Sequence, residues 1–167
     1  VLVLRVIPNP DDNPALKKFK SKFSLPSRPS DDPPSIPPHL DELHDGDLMD
    51  VYSEFMSWVS FTKAQLVQAE IDEDYESHQC RIVESTILIN QWNNDAKGDR
   101  VTLAKARRDV DPRVVDQQLK YQTSRAYRKL VEALFESCER GAQLLSRELS
   151  RRIGLHSKEQ RTSRFGA

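Results

Sequence analysis

The stretch DLMDVYSEFMSWVSFTKAQLVQA, residues 47–69, decides the fold. Leu48, Val51, Tyr52, Phe55, Val59, Thr62, Leu66 and Ala69 recur at intervals of three and four, which builds one apolar stripe along an α-helix. Asp47 is placed to cap its N-terminus, with Asp50 adding charge to an acidic first turn. The stripe fades across EIDEDYE and resumes at Ile82, Val83, Ile87 and Trp92. No proline or glycine interrupts residues 47–92, so the spacing predicts one long helix.

Beyond it, NNDAKGD at residues 93–99 clusters Asn, Asp and Gly and reads as a turn. RVTLAKARRDVDP, residues 100–112, then opens a second helical run capped by Asp99, and Asp111-Pro112 repeats the start signal. A kink or short break is expected there. After Pro112 a second stripe runs through Val115, Leu119, Ala126, Leu130, Leu134, Cys138, Ala142, Leu145, Leu149 and Ile153, and Gly154 is expected to end it. The fold expected is all-α: a long antiparallel helical hairpin with a kinked second arm, preceded by a proline-rich extended N-terminal segment.

Nine of the ten prolines fall at positions 8–38, which divides the chain into a proline-rich arm or tail at 1–44, a helical hairpin at 45–154 and a basic flexible tail at 155–167. SLPSRPSDDPPSIPPHL, residues 24–40, should be extended, because proline lacks the N–H donor and restricts the residue before it. VLVLRVI at the start suits a short strand, and NPALKKFKSKF at 13–23 a brief helix after Pro14. Residues 1–40 read equally as a flexible tail or as an arm that packs on a neighbouring subunit. Two helices alone have little interior, so self-association is expected through Phe55, Trp58, Val59, Leu66, Leu130, Leu134, Leu145 and Leu149.

A net charge of −1 hides a division into blocks. Residues 45–96 carry two basic and eleven acidic groups, whereas residues 97–167 carry seventeen and nine. Lys97, Arg100, Lys105, Arg107, Arg108 and Arg113 cluster about the turn and kink, and such stripes can follow a phosphate backbone with little sequence preference. In an antiparallel hairpin, however, the basic element lies against the acidic helix, and the two can satisfy each other. Trp92 and Tyr121 are candidates for stacking on a base, and equally for core or interface packing.

Nothing in the sequence assembles a catalytic set. The four histidines are scattered, the glycines at 46, 98, 141, 154 and 166 form no phosphate loop, and Cys80 and Cys138 lie outside any metal or nucleophile motif. Asp72, Glu73, Asp74 and Glu76 point in different directions on a helix and read as a solvated acidic collar. Neither an enzyme nor a cofactor is expected. No apolar run is long enough to span a bilayer, so a cytoplasmic protein without membrane contact is expected.

YSEFMSWVSFTKAQLVQAE, residues 52–70, followed by DPRVVDQQLKYQ and LVEALFESCERGAQLL, resembles the UvsY-type recombination mediators of T-even-like bacteriophages over roughly residues 45–153. The Tyr-Ser start, Phe55, Lys63, Glu70, Tyr121 and the Arg140-Gly141 pair carry the likeness. It implies a homo-oligomer in a phage-infected bacterial cell that binds single-stranded DNA, contacts a single-strand-binding protein and helps load a RecA-like recombinase. Where that family carries Leu-Lys-Ala-Arg within its first helix, this chain has His78, Cys80 and Arg81, and a similar element, Leu103 to Arg107, follows the turn. The expected nucleic-acid contacts are therefore Arg81, Arg100, Lys105, Arg107, Arg108 and Arg113. The competing expectation is a structural virion or scaffold protein that uses its arm and hairpin for subunit contacts.

Overall fold

The computed structural model describes residues 14–94 and 100–165, with side chains from Leu16 to Gln91 and from Thr102 to Leu155. Four helices follow in order: α1 (Pro14–Lys20), α2 (Asp45–Asn94), α3 (Arg100–Asp109) and α4 (Pro112–Phe165). There is no strand among the described residues, and an extended segment links α1 to α2. The expected strand at VLVLRVI, the Asp99 cap and most of the 93–99 turn lie outside the described residues. The two long helices, 50 and 54 residues, form the arms of the hairpin, and the expected break falls between Asp109 and Pro112.

Helix boundaries follow from their caps. α2 begins two residues before the expected Asp47 cap, because His44 does the capping. Its Nδ1 accepts from the Gly46 N–H at 3.3 Å and its carbonyl from Leu48 at 3.0 Å. Asp111 starts α4 as read from the sequence. Its Oδ1 accepts from the Arg113 N–H at 2.9 Å, and Pro112 takes the first helical position, where no N–H is needed. The Arg113 guanidinium closes on the same carboxylate, which holds the Asp111 carboxyl below its usual range.

Gly154 does not end α4, and the tail expected at 155–167 is helical as far as Phe165. One glycine costs a helix about 1 kcal/mol relative to alanine. The turn before it is tied by Glu148 to Arg151 at 2.6 Å and to Arg152 at 3.0 Å, and Gly154 does not take the positive φ of a helix stop.

Both long helices contribute to two compact units. The first comprises Val1–Ser24 and Leu66–Leu130, and the second Leu25–Gln65 and Val131–Ala167. In the second unit, Leu48, Phe55, Ala142 and Leu145 form the core, with Leu40, Leu43, Val51, Tyr52, Val59 and Leu149 packed against it. Helix contact here is close because Gly141 has no Cβ: one built there would overlap Cε1 of Phe55.

Residues 25–44 belong to this same unit and make contacts within the chain, so this part of the arm is not a free tail. Trp58 Nε1 donates to Ser30 Oγ at 3.0 Å, and the Arg28 guanidinium lies over the Trp58 ring at 5.8 Å. At the other end Arg152 donates to the carbonyls of Leu43 at 2.7 Å and Leu40 at 2.6 Å while pairing with Asp45. The carbonyls of Leu40 and Leu43 lie outside any helix or sheet, so a guanidinium fork is an effective anchor for them.

This packing corrects the expected oligomer surface. Phe55, Trp58, Leu66 and Leu145 are buried inside the chain, Val59, Leu134 and Leu149 are half-buried, and only Leu130 is exposed, at 71%.

The first unit is built differently. Leu66, Ala69, Cys80, Ile87, Ala104 and Val114 are its buried apolar residues, while the α4 positions turned inward between Val114 and Val131 are polar: half-buried Gln117, Gln118, Tyr121, Ser124 and Arg128. Val115, Leu119 and Leu130, read from the sequence as the inward stripe, are 51%, 62% and 71% exposed. The phase differs by one residue because acidic groups on α2 select polar partners. Glu73 takes Arg128, Glu76 accepts from Gln117 at 2.6 Å, and Glu84 accepts from Gln118 at 3.1 Å. In this phase the half-buried carboxylates gain donors that Val115, Leu119 and Leu130 could not supply.

Candidate nucleic-acid interface

On α3, the sequence RVTLAKARRD anchors itself through the buried Ala104 and exposes Lys105 and Arg107. Arg108 is half-buried. Its Nε and Nη2 donate to Asp109 Oδ1 at 2.9 and 2.6 Å, and this bond raises the guanidinium pKa. Arg113 keeps 70% of its side chain in solvent but is held on Asp111. Arg81 is exposed on a different helix, α2, and Arg100 has no described side chain. The structure thus unites Lys105, Arg107 and Arg108 on one short helix and holds Arg113 on the helix cap that follows.

The acidic collar of α2 does find cationic partners, but on α4. Glu73 pairs with Arg128 and lies 4.0 Å from Arg125. Lys105 has no ion-pair partner among the described residues. The charge match between acidic and basic blocks therefore draws on α4 rather than on this lysine of α3.

One aromatic missed in the sequence stands out on the outer face of α4. Tyr127 is 53% exposed and shares its side of the helix with the exposed Lys120, seven residues earlier, and Leu130, three later, whereas Arg125 and Lys129, two residues away on either side, leave the helix on the opposite side. Lys120 pairs with Asp116 at 2.8 Å, an i,i+4 contact that leaves 57% of its side chain accessible. Tyr121, the aromatic picked from the sequence, is half-buried on the inner face, and Trp92 has no described side chain. Tyr127 becomes legible only once Gln117, Gln118 and Arg128 are known to face α2, since that sets which side of α4 is outside.

The thiols are not poised for chemistry. Burial raises the pKa of Cys138, and burial together with a bond to Glu84 at 3.5 Å raises that of Cys80. Among the described residues no three His, Cys, Asp or Glu side chains group as metal ligands, and no helix is long and apolar enough to cross a membrane. Comparison of the chain with family models, curated proteins and solved structures found no match.

Proposed function

We propose that the protein is a non-enzymatic, self-associating accessory protein of recombination or replication that holds a single strand of DNA along α3 and the outer face of α4. The observation that carries this reading is Tyr127, exposed on the same side of α4 as Lys120, two turns earlier, and next to Leu130. Cations on a groove or face hold phosphates, and an exposed aromatic stacks with any base, a contact worth about 1–3 kcal/mol per base. Lys105 and Arg107 add exposed cations on α3 of the same unit. Delivery of the strand to a RecA-like recombinase, in contact with a single-strand-binding protein, is the role that the resemblance to UvsY-type mediators adds to this proposal.

Photo-crosslinking to a strand carrying iodouracil tests it, with adducts mapped by mass spectrometry. Adducts at Tyr127 are expected. Adducts confined to other residues, or none, would overturn the assignment of this face.

A second reading, a virion or scaffold component, is favoured by one observation: Val115, Leu119 and Leu130, apolar residues on the side of α4 away from α2, are 51%, 62% and 71% exposed. Under that reading these residues meet protein, and Tyr127 gives no adduct with DNA.

A further inference from the structure

The second unit carries a groove of about 400 Å³ between α2 and α4. Tyr52, Met56 and Val59 line it on α2, and Glu139, Gln143 and Arg147 on α4. Glu139 and Arg147 are exposed and have no ion-pair partner among the described residues. Met56 is 42% exposed and Met49, two turns earlier on the same stripe, 52%. Apolar side chains between two opposite, unmatched charges mark a contact surface rather than a solvated one.

The arrangement is symmetric about one level of the helix pair. Glu139 and Arg147 flank Gln143 by four residues each, about 6 Å of helix rise on either side. Tyr52 and Met56 flank Glu54 by two residues, and Met49 and Val59 flank it by five. The antiparallel register makes these two midpoints coincide. Gly141 meets Phe55 and Arg152 meets Asp45, so Gln143 lies level with residues 53 and 54.

We infer that this groove is the contact between two copies of the chain, joined groove to groove by a two-fold axis passing near Gln143. A two-fold axis perpendicular to the helices sets each α4 antiparallel to its copy. Glu139 of one copy then meets Arg147 of the other, twice per dimer, and Tyr52 meets Met56, a favourable sulfur–aromatic pair. The occupant is a second copy because the charges at the two ends are complementary under that operation. The inference deepens the self-association in the proposed function and gives it a surface distinct from the DNA face.

Sedimentation velocity on the full chain, without DNA, tests it, with helicity followed by circular dichroism. Glu139→Arg and Arg147→Glu each place two like-charged pairs across the axis and should weaken the dimer about tenfold. The double variant restores opposite charges and should return to within about threefold of the wild type. Gln143→Cys adds a reading independent of charge. Cys80 and Cys138 are buried, so a short bis-maleimide should link the introduced thiol of one copy to the same thiol of the other. A monomer at all concentrations, single variants that dimerise like the wild type, a double variant no better than the singles, or no cross-linked dimer would each overturn the inference. A monomer at all concentrations would also remove self-association from the proposed function, whereas the other outcomes leave it standing, and none of them bears on DNA binding.

Discussion

Gly141→Ala is the substitution most informative about how the second unit is packed. The added Cβ would overlap Cε1 of Phe55 and sit 2.8 Å from Cδ1 and 2.9 Å from Cζ of the same ring, where carbon atoms prefer about 3.5–4.0 Å. The ring has little room to move, because Phe55 is 2% exposed and shares the core with Leu48 and Leu145, both fully buried. Forcing an extra methyl into a close-packed core costs about 1–3 kcal/mol. Alanine returns about 1 kcal/mol in helix propensity, so the expected net loss is about 0–2 kcal/mol. Urea denaturation followed by far-ultraviolet circular dichroism reads this directly. Phe55→Leu shortens the opposing side chain, so Gly141→Ala should cost less in that background than alone, with a coupling of about 1 kcal/mol or more. A stabilised Gly141→Ala variant, or additive effects in the double variant, would refute the close approach.

Other consequences follow from named contacts. Arg152→Ala removes the donors to the Leu40 and Leu43 carbonyls, so residues 25–44 should become cleavable by a protease while α2 and α4 keep their helicity; equal resistance in the variant would contradict the anchor. Arg151 and Arg152 pull the Glu148 carboxyl down to about 2. A folded pKa below the unfolded value near 4.5 means that this contribution is present above pH 4.5 and is lost as pH falls from 4.5 towards 2. Glu148→Gln should flatten the stability profile in that window, and an unchanged profile would count against the pairing. Cys80 and Cys138 should react slowly with Ellman's reagent in the folded protein and readily in urea, since burial both blocks them and raises their pKa; fast reaction without urea would contradict their burial.

Much of the fold is legible in the sequence because its signals are local. The stripe from Leu48 to Ala69 and the Asp111-Pro112 start need only helical periodicity and backbone chemistry to be read. What could not be read depends on the facing helix. His44 rather than Asp47 caps α2, since an imidazole can serve as well as a carboxylate when its position is right. Gly154 looks like a stop in isolation, and the surrounding helix overrides it. The phase of α4 between Val115 and Leu130 is the clearest case. Hydrophobic spacing points those residues inward, but Glu73, Glu76 and Glu84 across the seam require Arg128, Gln117 and Gln118 there instead. That same reversal hides Tyr127 from a reading of the sequence. The basic cluster at Lys105–Arg108 was legible by composition, whereas the diversion of Arg108 to Asp109 was not.

The central claim is that α3 and the outer face of α4 hold a single strand through phosphates and one stacked base. Fluorescence anisotropy of a labelled single strand, titrated with the full chain across a series of salt concentrations, tests it most directly. Binding should weaken linearly on a log–log plot of affinity against salt. Lys105→Ala with Arg107→Ala should reduce the slope by about 0.7 for each phosphate contact removed. Tyr127→Ala should lower affinity about tenfold or more with the slope unchanged, because it removes stacking and no charge. Absence of binding at low salt, or affinity indifferent to all three substitutions, would contradict the account.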